Sequence, residues 1–347
     1  MMGCYLCRET DECEESKTGE AKQYSWETRR EVDMKDFNFE NLQYDTKVKE
    51  PGTINGQQFI LQNCRHSEIY LLDHINCVFV DDCSDCHIFI GPTRGSIFLR
   101  NCFNCIFMVA CGQFRVRDSK NIKVYLCCAS KPIIEASQNL FFGCFQMYYD
   151  SLEEQFQKAG LSPFNNNWNN VHDFTPVDLG FNWAAMSAEM KFKDYFPAIL
   201  PSEFSKWNVN SDLEASVVPF TMGCIQKPEE ETCFLLVFFT SQRNGDCRRI
   251  ISRACRLREG VKLVLSKEVN ISGEDAERFT GSKLYSKFTA TGSVVGLQFQ
   301  GQHCSFIVRK VLEDSPSKDM LYLCDDPQTA GHQADLFFNY AEMCMSL

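Results

Sequence analysis

The chain has 347 residues, 44% of them hydrophobic, enough for two domains with real cores. A net charge of −11 makes nucleic acid an unexpected partner, because phosphate binding needs a clustered basic surface. Twenty cysteines, no recognisable signal peptide and no apolar run of about 18 residues lead us to expect reduced intracellular thiols and no membrane-crossing helix.

The chain begins Met1-Met2-Gly3-Cys4-Tyr5-Leu6-Cys7 and turns acidic at Asp11, Glu12, Glu14 and Glu15. Composition alone reads residues 1–22 as a disordered tail. If translation starts at Met2, Gly3 becomes an acceptor for myristate, with Cys4 beside it for palmitate. Cys7 stands where the myristoylation pattern has Ser or Thr. One myristoyl chain binds membranes only marginally and no polybasic cluster supports it, so Cys4, and after it Cys7, is the second anchor this reading requires. From Gln23 to Pro51 aromatic and charged residues mix without period, as expected of a segment packing over one end of a repeat domain.

From Gly56 to Cys144 the sequence repeats. Cys64, Cys83, Cys102, Ser119 and Ser137 are separated by 19, 19, 17 and 18 residues. Three residues after each stand Ser67, Cys86, Cys105, Ile122 and Leu140. Just before each marker comes Asn63, Asp82, Asn101, Asp118 or, as the lapse, Ala136. Short apolar runs lie between, which is the signature of a parallel β-helix whose rungs stack about 4.8 Å apart over one core. Cys83-x-x-Cys86 followed by Cys102-x-x-Cys105 also fits a four-thiolate zinc site. Against zinc, Ser119 and Ser137 hold the same rung position and are poor ligands, whereas free cysteine packs readily as a small hydrophobe.

One rung breaks the apolar rule: Gln113-Phe114-Arg115-Val116-Arg117-Asp118. Strand alternation turns Phe114 and Val116 inward and Gln113, Arg115 and Arg117 outward, with Arg100 one rung below. Glu135 lies 18 residues past Arg117 and 20 past Arg115, which is expected to bring its carboxylate within reach of both. Two guanidinium groups and an amide on a rigid face suit a phosphate or carboxylate; the plainer alternative is a solvated surface ion pair.

Leu152–Leu161 reads as a short helix, Phe164-Asn165-Asn166-Asn167-Trp168-Asn169-Asn170 as a loop, and 179–230 as an irregular connector lying across both domains. The last stretch, 231–347, alternates strands and helices and predicts a ferredoxin-like α/β sandwich. Strands are expected at Cys233–Thr240, Lys262–Val269, Val294–Gln300 and Met320–Cys324. Helices are expected at Asp246–Arg258, after the cap Ser272, at Phe306–Leu312 and at Asp335–Met343. No hydrolase, P-loop or dinucleotide motif is present, and the six histidines belong to no evident ligand set.

The stretches Lys22-Gln23-Tyr24-Ser25-Trp26, Pro51-Gly52-Thr53, Gly56-Gln57-Gln58-Phe59 and Gln113 to Asp118 resemble the tubulin-folding cofactor C family. So do Pro132-Ile133-Ile134-Glu135, Phe142-Gly143-Cys144-Phe145-Gln146 and Phe164 through Trp168 to His172-Asp173-Phe174-Thr175-Pro176. The likeness runs the full length, including the Gly3-Cys4 start, and so points to a two-domain member. It implies a right-handed parallel β-helix domain (23–178) followed by an α/β domain (231–347) similar in fold to nucleoside diphosphate kinases. No Asn-x-x-His-Gly segment is present there, so kinase activity is not expected. The resemblance further implies an activator of an Arf-like small GTPase in its GTP-bound state. It would act at the cytoplasmic face of the plasma membrane and at the primary cilium or basal body, supporting traffic of lipidated cargo. In that reading Arg115 is an arginine finger, Gln113 its neighbour, Glu135 the acid orienting it, and Arg117 and Phe174 partner contacts, while Gly112 stands where the relative has glutamine. GTP and Mg²⁺ belong to the partner, and the chain needs no metal or cofactor of its own. The rival reading is a non-catalytic adaptor that docks a GTPase or tubulin through the same face.

Overall fold

The left-handed backbone region explains the polar half of the repeat. In the computed structural model Asn63, Asp82, Asn101, Asp118 and Ala136 take φ between 46° and 56°, and His66, Asp85, Asn104, Asn121 and Asn139 take φ between 48° and 57°. Asn and Asp tolerate this region better than other non-glycine residues, so two such corners per rung select them. Side chains along the corners bond from rung to rung: Asn121 donates to Asn104 at 2.9 Å and Asn139 to Asn121 at 2.6 Å. The buried markers follow the corners. Cys64, Cys83, Cys86, Cys102 and Cys105 are fully buried, and each thiol donates to backbone carbonyls, as Cys105 does to Phe103 at 3.2 Å. The adjoining Cys83 thiol and burial push the Cys64 thiol far above its usual range. Among the described residues no three His, Cys, Asp or Glu side chains converge to hold a metal ion.

The structure describes residues 34–178, 180–186, 206–212, 215–223, 231–257, 260–315, 317–324 and 326–345. The chain divides at Asp36, and the β-helix and the α/β part both lie in the unit Phe37–Leu347. Gly3, Cys4 and the Lys22–Trp26 match lie outside the described residues.

The solenoid strands are β1 (Asn38–Glu40), β2 (Thr46–Lys49), β3 (Phe59–Gln62), β4 (Glu68–Leu71), β5 (Val78–Asp81), β6 (His87–Arg100), β7 (Ile106–Arg117), β8 (Lys120–Cys128), β9 (Ile133–Glu135) and β10 (Gln138–Cys144). Every ladder between them is parallel, so the predicted β-helix is present. One face stacks β1, β3, β5 and the second halves of β6 and β7 under β9; another stacks β2, β4 and the first halves of β6 and β7 against β8 and β10. A third, very short side links Gln43, Arg65, Ser84, Phe103 and Lys120 by single bridges between the two corners. The interior is continuous from Phe59 to Phe142.

Beyond the rungs come α1 (Leu152–Ala159), β11 (His172–Asp173), which extends the face above β9, and β12 (Trp183–Ala185), which pairs with β10. The connector therefore contributes a strand to the solenoid, where the sequence suggested only irregular chain.

The α/β part contains β13 (Thr232–Val237), α2 (Arg243–Leu257), β14 (Lys262–Val269), α3 (Gly273–Thr280), β15 (Val294–Gln300), α4 (Cys304–Glu313), β16 (Leu321–Cys324) and α5 (Pro327–Met345). The sheet order β14-β15-β13-β16, all antiparallel, is the ferredoxin-like arrangement expected. Helices α2 and α4 cover one face, α3 and α5 the other. Ser272 caps α3 in a complete capping box with Asp275. Helix α5 starts eight residues before the predicted Asp335, because Asp326 accepts from the Thr329 backbone and hydroxyl and Pro327 suits a first helical turn.

The asparagine loop ties the two parts together. Phe164 is fully buried in the core beneath α2, α4 and the α/β sheet. Asn166 continues the rung bonding, accepting from the Cys128 amide at 3.1 Å and donating to the Leu126 carbonyl at 3.0 Å. Its neighbours turn the other way. Asn165 accepts from the Glu268 amide at 2.7 Å and donates to the Glu268 carbonyl at 3.0 Å, and Lys267 donates to Asn167 at 2.5 Å. The Glu268 carboxylate also binds Ser162, Ser293 and buried Arg243.

Candidate functional site

The outward face of β7 carries the residues the sequence singled out. Phe114 and Val116 are buried, whereas Gln113, Arg115 and Arg117 are exposed, as strand alternation requires. Parallel register sets their neighbours. Arg117 lies between Arg100 below and Glu135 above; Arg115 lies between Phe98 and Ile133; Gln113 lies over Ser96.

The three arginines of this face are held differently. Arg100 makes a two-pronged bond to Asp81, both contacts at 2.7 Å, and this partner raises its pKa further above the usual arginine range. Arg117 turns to the adjacent Asp118, Nε to Oδ2 at 3.1 Å. Arg115 has no carboxylate partner among the described residues. Its Nη2 donates to the neutral Gln113 Oε1 at 3.2 Å, and its guanidinium carbon lies 6.0 Å from the centre of the Phe98 ring. Gln113 is held in turn by the Ser96 hydroxyl at 3.1 Å.

Glu135 departs from expectation. It stands level with Arg117, two residues along the strand from the position beside Arg115, a displacement of about 6.6 Å. It forms an ion pair with neither arginine among the described residues, since Asp118 occupies Arg117. Phe174 leaves β11 with 60% of its surface exposed, its amide on the Ile134 carbonyl at 3.0 Å and its ring edge-on to His172 at 4.6 Å. It therefore stands on the same face as the arginines, one rung above β9.

A cleft of about 370 Å³ opens beside Arg115. Gln113, Ile133 and His172 line one wall, and Glu342 and Met345 from the last turn of α5 line the other. Glu342 approaches Lys131 at 3.9 Å and Asn170 at 3.5 Å, both on the β-helix side. Sequence reasoning missed this wall because long-range contacts bring α5 there, among them the asparagine-loop bonds, the Arg248–Glu153 ion pair and the Met222 amide on the Leu263 carbonyl. Gly112 has a local reason of its own: a Cβ at this position would lie 2.5 Å from the Arg94 carbonyl oxygen.

Residues 56–174 match the family described as Tubulin binding cofactor C. Over 352 residues the chain is 38% identical to Protein XRP2 of Homo sapiens, covering 100% of both chains. Among solved structures, it is similar to the Tubulin Binding Cofactor C from Leishmania major at 25% identity, covering 42% of this chain and 89% of that one with a TM-score of 0.30. It is also similar to an NDP kinase from Pyrobaculum aerophilum at 18% identity, covering 31% of this chain and 96% of that one with a TM-score of 0.26.

Proposed function

Because the chain belongs to the XRP2 group of tubulin cofactor C-like proteins, we propose that it activates GTP hydrolysis on a partner, an Arf-like small GTPase in its GTP-bound state. Arg115 is the finger supplied in trans. The observation that carries this reading is the contrast among the arginines: Arg100 and Arg117 are each bound to an aspartate, whereas Arg115, among the described residues, meets an amide and a phenyl ring and no carboxylate. Among the described residues there is no ion pair for an incoming phosphate to break before it recruits Arg115. The partner brings GTP, Mg²⁺ and the attacking water, and the guanidinium fork stabilises charge on the transferring phosphoryl group. Glu135, level with Arg117 and two residues along the strand from the place beside Arg115, is the acid this reading needs to steer the guanidinium, which must swing toward it once the phosphate draws it off Gln113. Phe174 and the cleft beside α5 supply docking surface. The rigid rung keeps the entropy lost on docking small.

Where translation starts at Met2, acylation of Gly3 and Cys4 belongs to the same proposal and puts the activator at the cytoplasmic face of the plasma membrane and at the primary cilium, where it supports traffic of lipidated cargo. Two chains anchor stably where one does not, so Cys4→Ser is expected to release the protein to the cytosol.

The test is single-turnover GTP hydrolysis by Arf-like GTPases, measured beside binding. Arg115→Ala is expected to lower stimulated hydrolysis by about 10³- to 10⁵-fold while affinity for the GTP-bound partner stays within about tenfold. Arg115→Lys is expected to fail as well, because lysine lacks the planar fork. Full stimulation by Arg115→Ala would end the activator reading. Loss of binding and stimulation together would favour the adaptor, a reading to which the exposed Phe174 ring lends itself.

A further inference from the structure

A column of outward side chains passes through the register partners Ile60, Phe79, Phe98, Arg115, Ile133 and His172. Its two phenyl rings lie face to face, their centres 5.2 Å apart and their planes 8° from parallel. Rung spacing imposes this stack, since in-register neighbours of a parallel ladder sit about 4.8 Å apart. Both rings are half-buried, so Phe98 is held from below by Phe79 and from inside by the rung. The Arg115 guanidinium is the next member of the column, within cation–π range of Phe98.

A ring beside a guanidinium takes none of its N–H donors, which are the groups that recognise phosphate oxygens. An acid in the place of Phe98 would do the opposite and occupy those donors, as Asp81 does for Arg100. We propose that Phe98, seated on Phe79, is a positioning residue for Arg115: its ring supports the guanidinium without taking any N–H donor, so the donors not held by Gln113 stay available to the partner's nucleotide. This inference rests on the activator reading, because it assigns Phe98 a role only through Arg115.

The experiment follows stimulated single-turnover hydrolysis against activator concentration, which separates the plateau rate from the half-saturating concentration. Phe98→Leu retains apolar bulk and loses the ring face; Phe98→Tyr retains the ring. Phe98→Leu is expected to lower the plateau about two- to fivefold with half-saturation unchanged, and Phe98→Tyr to restore the wild-type plateau. In the Arg115→Ala background, Phe98→Leu is expected to cause no further loss. A wild-type plateau for Phe98→Leu, a loss shared by Phe98→Tyr, or a change confined to half-saturation would each overturn the positioning role. The Arg115→Ala control separates the two claims. If it retains stimulation, the activator reading falls and the positioning role with it; if it abolishes stimulation while Phe98→Leu behaves as wild type, only the positioning role falls.

Discussion

Truncating Phe164 should loosen the α/β half of the molecule before the solenoid. The ring comes from the asparagine loop, is fully buried, and lies in a core whose other members include Cys233, Leu235, Ile250, Leu263, Leu297 and Val308. Deleting a buried phenyl group costs about 3–5 kcal/mol, a large share of the roughly 5–15 kcal/mol that stabilises most proteins. At a urea dependence of about 2–3 kcal/mol per molar, the Phe164→Ala midpoint should fall by about 1–2 M. The chain offers two separable probes. Trp168 and Trp183 pack on the solenoid core and Trp207 against the cluster beside it, so their fluorescence reports the solenoid side. Helical circular dichroism is dominated by α2 to α5. The dichroism transition is expected to move to lower urea and to separate from the fluorescence transition. An unchanged dichroism midpoint, or a shift worth less than about 1 kcal/mol, would refute the idea that this ring anchors the α/β core.

Acid should weaken the same junction. Burial pushes the Glu268 carboxyl up, but the Ser162 and Ser293 hydroxyls and Arg243 outweigh it and hold the pKa below its ordinary value of 4.5. Stability from this group is complete above 4.5 and is lost as pH falls through the lower folded value, so Glu268→Gln should flatten the fall in unfolding free energy over that acid range; an unaltered profile would count against the junction. Gly112→Ala should cost about 1–3 kcal/mol, since its Cβ would meet the Arg94 carbonyl at 2.5 Å; a wild-type melting temperature would show that the Arg94 turn yields easily.

The repeat was legible because each rung makes similar demands at the same places: left-handed corners mostly take Asn or Asp, and the buried position after the first corner takes Cys or Ser. Ala136 shows that the demand is a preference, for it sits at φ 46° without a polar side chain. The arginine face was legible from strand alternation alone. Register was the harder quantity. Glu135 lies 18 residues past Arg117, which is one rung, and the two further residues to Arg115 are enough to leave the carboxylate unpaired. Phe164 reads as an ordinary loop aromatic, since nothing local says which core it enters. The start of α5 was hidden because apolar periodicity begins late in it, although Asp326-Pro327 is a recognisable helix opening.

Strand β12 has a consequence for solubility. A solenoid is a stack of parallel strands with an open end, and its last rung would present unpaired backbone donors and acceptors as a template for another chain. Trp183–Ala185 sits on that end, pairing with Leu140–Phe142, and the Met186 amide donates to the Phe142 carbonyl at 2.7 Å. The connector thus covers the middle of the backbone edge that an end-to-end contact would have to pair with. The three residues of β12 cover Leu140–Phe142 in the middle of β10 and offer an incoming strand very little to extend.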